Sequence, residues 1–237
     1  NSAMLRIFTD FDGPIMDVSE RYYQVYQYCL DQAREQDQAV TVLPKPEFWR
    51  LKRAQVPERH IGQLSGLHDD QARRFAQLRR DTVHSLQYLP FDRVLPGAIA
   101  ALEQLQALGC DLVVMTMRRA YTLDLVLEQQ QLDRFFPRDR RYCLADDHVK
   151  DQDVVEKPRL MAAAQAHLPP CPHSWMIGDT EADIAAARSQ AIPVVAVLSG
   201  IRNRERLLTY GPDAIVDNLP QAIATILQQV PTPSPLA

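Results

Sequence analysis

Five short apolar runs alternate with helical patterns along most of this chain. The runs are LRIFTD (5–10), CDLVVMT (110–116), RYCLA (141–145), SWMIGD (174–179) and PVVAVLSG (193–200). Helical stretches such as PGAIAALEQLQALG (96–109) and EADIAAARSQA (181–191) separate most of them. Because such alternation is typical of a parallel sheet flanked by helices, the sequence predicts an α/β fold.

The alternation stops between Val18 and Asp92, where the pattern becomes helical throughout. Proline-containing stretches break these helices, and the second of them, LPFDRVLPG (89–97), returns the chain to the sheet. We therefore predict a core formed by residues 4–17 and 93–229, with an inserted all-helical cap at 18–92. The proline-rich end, 230–237, is predicted to be a disordered tail.

Composition excludes several classes of protein. The 237 residues are 46% hydrophobic and 24% charged, as in an ordinary globular protein, and the formal charge is -4. That charge argues against a nucleic-acid partner, and no apolar run is long enough for a membrane span. The four cysteines form no Cys-x-x-Cys pair, so reduced thiols and a cytoplasmic location are expected.

Two aspartates, Asp10 and Asp12, end the first apolar run directly ahead of Gly13 and Pro14. Alternate residues of a strand share a face, so the two carboxylates are predicted to lie close together and to repel each other. Such a pair either shares a proton or binds a cation. The alternative is simple turn chemistry, since Asp and Gly are common turn formers.

Three further strand ends carry polar residues. Thr116, placed just past its strand and followed by Met117, could hold an anion through its hydroxyl and the next backbone N–H groups, or could cap a helix. Lys157 stands before Pro158 at a predicted helix entrance, or is a solvated surface lysine. Asp179 ends a strand, and Asp183 follows as a second carboxylate or as part of a capping box.

Taken together, these strand ends supply the groups needed to attack a phosphate ester. Ligands of parallel sheets bind at the carboxyl ends of the strands, where all of these side chains are expected. Carboxylate oxygens suit Mg²⁺, which bridges to substrate phosphates. A lysine and a threonine can neutralise and orient phosphoryl oxygens. The sequence therefore predicts a small-molecule phosphate ester as substrate and Mg²⁺ as cofactor.

The motifs resemble those of the haloacid dehalogenase-like hydrolases, in particular the phosphoglycolate phosphatase and beta-phosphoglucomutase-like group with a helical cap. DFDGPIMD (10–17) is similar to the first motif, VVMTMR (113–118) to the second, EKP (156–158) to the third and GDTEAD (178–183) to the fourth. The resemblance covers nearly the whole chain and implies a Rossmann-like core. Pro14 departs from the pattern, because most of these phosphatases have Thr or Ser there.

The resemblance also implies roles for these residues. Asp10 would be the nucleophile that forms an aspartyl-phosphate, and Asp12 the general acid and base. Mg²⁺ would be held by the Asp10 carboxylate, the Asp12 backbone carbonyl and Asp179, with Asp183 as a ligand or a neighbour of the ligands. Thr116 would bind the phosphoryl group, and Lys157 would offset the charge of Asp10 and the phosphate.

The predicted cap carries a basic stretch between Pro44 and Arg59, in which Arg50, Lys52 and Arg53 are candidates for substrate specificity. A solvated helix face is the alternative. The same core would serve a sugar phosphomutase, and a non-catalytic regulatory protein could inherit the fold. A dehalogenase is disfavoured, because displacing halide requires neither a metal nor Asp12, and this sequence keeps both Asp12 and Asp179.

Overall fold

A six-stranded parallel sheet forms the centre of the computed structural model, which describes residues 2–231. The strand order is β5-β4-β1-β6-β7-β8. The strands are β1 (Leu5–Thr9), β4 (Asp111–Arg119), β5 (Arg141–Leu144), β6 (His173–Gly178), β7 (Val194–Val197) and β8 (Ala214–Val216). The predicted α/β class is confirmed.

Helices cover both faces of the sheet, and alternate residues of each strand supply the two cores. Along β1, Leu5 and Ile7 face one core, whereas Phe8 faces the other. The first core packs against α5 (Ala98–Ala107), α6 (Ala120–Gln129) and α10 (Leu219–Gln229). The second packs against α7 (Asp153–His167), α8 (Glu181–Ser189) and α9 (Arg204–Tyr210). Burial on both faces explains why the strands are nearly continuous apolar runs.

A short antiparallel ribbon marks the two places where the chain leaves and re-enters the sheet region. It consists of β2 (Met16–Asp17) and β3 (Arg93–Val94). Between these strands lie α1 (Ser19–Ala33), α2 (Lys45–Arg53), α3 (Glu58–Leu64) and α4 (Asp69–Thr82). We call residues 18–92 the helical segment. It has its own hydrophobic cluster, in which Tyr26 stacks on Phe48 with ring centroids 4.7 Å apart.

Several boundaries differ from the predictions. Strand β4 continues to Arg119, so Thr116 lies within it, where pairing with β5 shifts register between Met115 and Arg119. Helix α7 begins at Asp153, four residues before Lys157, because the Gln152 carbonyl already accepts the N–H groups of Val155 and Glu156. Pro158 therefore lies inside the helix.

The ends of the chain add two observations. Residues 232–237 of the predicted tail (230–237) lie outside the described residues, and Val230 is buried against the first core. Within residues 2–231, no helix is both long enough and apolar enough to cross a membrane.

Candidate active site

A buried cluster of three aspartates and a lysine lies at the carboxyl ends of β1 and β6. The Lys157 Nζ is 3.0 Å from Asp10 Oδ2 and 2.5 Å from Asp183 Oδ1. Carboxylate oxygens of Asp10, Asp179 and Asp183 lie within 4.8 Å of one another. All four residues are at most 7% exposed. The predicted side chains Asp10, Lys157, Asp179 and Asp183 are therefore brought together.

Asp183 has two functions in this cluster. Its Oδ2 accepts hydrogen bonds from the N–H groups of Asp179 (2.8 Å) and Thr180 (3.1 Å), as expected of a capping box. Its other oxygen faces Lys157. The two alternatives considered for Asp183 are therefore compatible, because one carboxylate oxygen caps α8 while the other contributes charge to the cluster.

Loops from neighbouring strands enclose Asp179. Its Oδ2 accepts the Ile201 N–H at 2.9 Å, and the Ser199 hydroxyl donates to the Gly13 carbonyl at 2.7 Å. A Cβ atom on Gly13 or on Gly200 would overlap the Asp179 carboxylate. Gly13 also has φ +106°, a conformation that side-chain-bearing residues rarely adopt. Both glycines are therefore needed for the chain to approach Asp179 this closely.

Crowding of like charges alters the protonation of the cluster. Burial, with the nearby Asp183 carboxylate, raises the pKa of Asp10 well above its usual range. Burial and Asp183 likewise raise the pKa of Asp179 to about 7. Burial alone would lower the pKa of Lys157, but the charges of Asp10 and Asp183 outweigh it, so that pKa is raised. The cluster therefore has more negative charge than Lys157 alone can balance.

The donor set of this cluster fits a divalent metal ion. Its ligand atoms are carboxylate oxygens, which hard cations prefer. Asp179 Oδ1 is buried and receives no hydrogen bond from any residue in the described range. A buried carboxylate oxygen without a donor is costly unless a cation compensates it. A cluster of three of the predicted aspartates, Asp10, Asp179 and Asp183, could thus bind a metal, and the Asp12 carboxylate is not part of this cluster.

Thr116 and Met117 lie on the adjacent strand β4. The Thr116 side chain is buried, and its Oγ1 accepts the Arg118 N–H at 3.1 Å. Met117 is partly exposed. This hydrogen bond forms where β4 shifts register against β5, so the local backbone departs from regular sheet pairing. The prediction that these residues bind phosphate stays a prediction.

Asp12 is held differently from Asp10. Arg118 donates to both of its carboxylate oxygens, through Nε at 3.1 and 3.2 Å and through Nη2 at 2.7 Å. Arg21 Nη2 lies 3.7 Å from Asp12 Oδ2. Burial would raise the pKa of Asp12, but these two arginines outweigh burial and leave the pKa lowered. The two aspartates of the first motif therefore have opposite pKa shifts, raised at Asp10 and lowered at Asp12.

The three basic candidates of the helical segment have different surroundings. Arg50 is largely exposed and pairs with Glu47 of its own helix at 2.6 Å. Lys52 is buried against Glu58 and the Tyr22 ring. Arg53 Nη2 reaches the sheet region, donating to the carbonyls of Leu198 at 2.8 Å and Arg202 at 3.2 Å. Of the three, only Arg53 hydrogen-bonds to the loop that also binds Asp179.

Sequence reasoning did not single out four residues around the site: Arg21, Asp92, Arg118 and Gly200. Arg118 is part of the second motif, and its place two residues after Thr116 was a usable signal. Gly200 ends the run that forms β7. Arg21 lies in a helix and Asp92 in a proline-containing turn, and only the tertiary structure brings Arg21 to Asp12 and Asp92 to Arg21.

The parallel sheet with acidic residues at its carboxyl edge defines an α/β protein with a buried carboxylate and lysine site. Residues 5–190 match the family model described as "Hydrolase: haloacid dehalogenase-like hydrolase". The chain belongs to the haloacid dehalogenase-like hydrolase family, which confirms the resemblance seen in its motifs.

Individual relatives differ in their described activities. A phosphoglycolate phosphatase from Pseudomonas syringae pv. syringae is 26% identical over 135 residues, which cover 56% of this chain and 47% of that protein. A pyrophosphatase from Oceanobacillus iheyensis is 24% identical over 136 residues, covering 57% and 61%. The chain thus spans about half the length of the first of these relatives.

The solved structures support the fold. A structure from Clostridium acetobutylicum, described as that of a predicted phosphatase, has a TM-score of 0.67 to this chain and 20% sequence identity. The alignment covers 96% of this chain and 100% of that one.

Proposed function

We propose that this protein is a Mg²⁺-dependent phosphatase that hydrolyses a small phosphorylated metabolite through an aspartyl-phosphate on Asp10. The observation that carries the proposal is the Lys157 bridge between Asp10 and Asp183, beside Asp179, at the edge of a parallel sheet. Activities of the family relatives agree with this class of reaction.

Mg²⁺ would be held by the carboxylates of Asp10 and Asp179 and by the Asp12 backbone carbonyl, with Asp183 beside them. When bound, it would neutralise negative charge on the carboxylates and on the phosphoryl oxygens. Its presence would also satisfy Asp179 Oδ1, the buried oxygen that receives no hydrogen bond within the described residues.

The side chains divide the remaining work. Burial raises the pKa of Asp10 in the protein alone, and bound Mg²⁺ would favour the ionised carboxylate. This carboxylate attacks phosphorus, so that an Asp10 O–P bond forms while the ester P–O bond breaks. The Asp12 carboxyl gives its proton to the leaving oxygen and later accepts a proton from the attacking water. Because Arg118 and Arg21 lower the pKa of Asp12, the minor protonated form is the donor in the first step, and the ionised form is ready to accept the proton of the water in the second. Lys157 and Thr116 offset and orient the charge of the phosphoryl group. Water hydrolyses the aspartyl-phosphate and regenerates Asp10.

Hydrolysis of para-nitrophenyl phosphate tests the proposal. We expect release of inorganic phosphate with Mg²⁺ present, loss of activity in excess EDTA and recovery when Mg²⁺ is added back. The control is EDTA already saturated with Mg²⁺, which should have no effect. A sugar phosphomutase would instead regenerate a bisphosphate and release little phosphate. Absence of phosphate release from every ester in a panel of phosphorylated metabolites would contradict the proposed function.

We further propose that the helical segment is a cap that closes over the site and contributes to substrate specificity. Arg53 and Gln55, at the end of α2, bind elements of the sheet region. The Arg53 carbonyl accepts the Asn203 N–H at 3.0 Å, and the Gln55 Oε1 accepts hydrogen bonds from Arg206 and Tyr210. These contacts support the proposal, because the Arg53 side chain also hydrogen-bonds to the loop that encloses Asp179.

Arg53→Ala tests the role of the cap in substrate specificity, and Arg50→Ala is its matched control. We expect Arg53→Ala to raise KM for a phosphorylated carboxylic acid by roughly tenfold, since a hydrogen bond to a charged group contributes about 1.5 kcal/mol. The KM for para-nitrophenyl phosphate should change less. Arg50→Ala should leave both values near wild type, because Arg50 is exposed and pairs within its own helix. Equal effects of Arg53→Ala on both substrates would argue against a role in specificity.

A further inference from the structure

Four charged side chains form a closed ring around the hinge of the helical segment. Arg118 bridges Asp12 (2.7 Å) and Asp92 (2.5 Å). Arg21 bridges the same two carboxylates, at 2.9 Å from Asp92 Oδ1 and 3.7 Å from Asp12 Oδ2. We call Asp12, Arg118, Asp92 and Arg21 the hinge ring. Each arginine contacts both aspartates, so no member can move without changing two contacts.

The hinge ring is buried and electrically balanced. Side chains of Arg21, Arg118 and Asp92 are 1%, 4% and 1% exposed, whereas that of Asp12 is 28% exposed. Two positive and two negative groups cancel, which is the arrangement that makes a buried ionic cluster tolerable. Asp12 is thus the member that retains access to solvent, and the other three lie on its buried side.

The ring connects the parts of the chain that must move together if the cap moves. Asp12 follows β1, and Arg118 lies near the end of β4. We call β2, where the chain leaves the sheet region, the first crossing, and β3, where it returns, the second crossing. Arg21 lies in α1, just after the first crossing, and Asp92 lies just before the second. The ribbon between the crossings has only two residue pairs, Met16 with Val94 and Asp17 with Arg93. The hinge ring is therefore the charged link between both crossings and the sheet.

Pro14 explains why Asp12 depends on this ring. Proline has no hydroxyl and no backbone N–H, so residue 14 cannot donate a hydrogen bond to the Asp12 carboxylate. Arg118 supplies three contacts instead. The guanidinium is itself fixed, since it lies 5.0 Å from the Phe11 ring centroid. Two oriented N–H groups of a rigid guanidinium define the plane of a carboxylate better than one hydroxyl does.

We propose that Arg118, Asp92 and Arg21 are positioning residues that orient Asp12 for proton transfer and couple its orientation to the position of the cap. This proposal rests on the proposed function of Asp12 as proton donor and acceptor. It assigns the three residues no contact with the substrate. They act through Asp12, so their removal affects the step that requires a proton, and has little effect on substrate binding.

Leaving-group dependence distinguishes this role from a purely structural one. Para-nitrophenolate leaves without a proton, whereas an alkoxide requires one. In Arg118→Met we expect kcat for an alkyl phosphate to fall by about 100-fold, the scale of general acid catalysis, with KM within about threefold of wild type. Loss of Arg118 also removes a charge that lowers the pKa of Asp12 and so favours the protonated donor, which means that a fall in kcat reports lost orientation and not lost protonation. For para-nitrophenyl phosphate the loss should stay below about tenfold. Arg118→Lys should recover part of the alkyl phosphate activity, because it restores one charged donor.

Two controls complete the kinetic experiment. Arg6→Met removes another buried arginine, which pairs with Asp111 at 2.7 Å at the opposite end of the strands. This variant should leave the ratio of the kcat values for the two substrates unchanged. Adding Arg118→Met to Asp12→Asn should cause no further loss of kcat, because Arg118 acts only through Asp12. Two results would overturn the positioning role. One is a ratio of kcat for the alkyl phosphate to kcat for para-nitrophenyl phosphate that is the same in Arg118→Met as in Arg6→Met. The other is a loss of kcat in the double variant equal to the combined losses of the two single variants.

Hydrogen exchange supplies a measurement that requires no activity. In Arg118→Met and Asp92→Asn, amide exchange should accelerate in residues 12–18 and 92–95, and Arg6→Met should not reproduce this. Unchanged exchange in those two segments would overturn the coupling of the ring to the crossings. If the wild type hydrolyses no phosphate ester, the proposed function fails, and with it the assignment of proton transfer to Asp12. The exchange data still decide whether the ring couples the crossings to the sheet.

Discussion

Replacement of Asp10 by Asn is expected to lower kcat by more than about 1,000-fold, the scale seen when a catalytic nucleophile is removed. The amide keeps the shape of the carboxylate but cannot attack phosphorus. Steady-state hydrolysis of para-nitrophenyl phosphate measures the effect. Substantial activity in a variant whose sequence has been verified by mass spectrometry would contradict an aspartyl-phosphate mechanism.

The same variant should not be less stable than wild type. The cluster contains three carboxylates and one lysine, so a neutral Asn relieves repulsion from Asp179 and Asp183. Lys157 keeps its contact with Asp183. We therefore expect an unchanged or higher Tm for Asp10→Asn without metal at pH 8. Asp111→Asn is the matched control, because it changes an aspartate at the opposite end of β4 and should retain activity.

Much of the fold follows from patterns visible in the sequence. All five predicted runs are strands of the sheet, because residues buried on both faces must be apolar. Strand β8 was not predicted, since Ala214–Val216 is a short edge strand of half-buried residues with little pattern. The sequence pattern predicted helix throughout residues 18–92, but the last α-helix of this segment, α4, ends at Thr82. Leu86, beyond that end, is 51% exposed.

Some residues of the site could be predicted from the local sequence, whereas others come together only in the folded chain. Asp10 and Asp179 could be predicted because strand ends of a parallel sheet meet at one edge. The pairing of Arg21 with Asp92 beside Asp12 could not be predicted, because Arg21 and Asp92 are 71 residues apart in sequence and meet only in the folded chain. Arg50 and Arg53 are indistinguishable by composition, and only the direction of α2 separates the exposed side chain from the one that reaches Leu198.

Lys157→Met should be both inactive and unstable. Lys157 is the cation in direct contact with Asp10 and Asp183, and its side chain is 2% exposed. Removing one partner of a buried ionic cluster leaves uncompensated charge and costs about 3 kcal/mol or more. For a domain of this size that loss lowers Tm by roughly 10 °C. Activity should fall by at least about 100-fold, because charge stabilisation of the phosphoryl group is lost.

The loss of stability in Lys157→Met is expected to depend on pH. The pKa of Lys157 is raised, so its stabilising charge is present throughout the range below its ordinary value of 10.5. The pKa of Asp179 is raised to about 7, so the cost of ionising it in the folded protein grows between pH 3.8 and about 7. Without Lys157 this cost is larger. The difference in Tm between wild type and Lys157→Met should therefore be greater at pH 8 than at pH 5.

Thermal unfolding at both pH values, with and without Mg²⁺, measures these effects. Lys150→Met is the control, because Lys150 also lies 2.5 Å from an aspartate oxygen, that of Asp153, but both side chains are more than a third exposed. An exposed pair contributes about 1 kcal/mol or less, so this variant should unfold close to wild type. Mg²⁺ should raise the Tm of Lys157→Met, since the cation replaces part of the missing positive charge. Equal stability of the two lysine variants would show that the three aspartates do not require Lys157, and would contradict the charge balance proposed for the site.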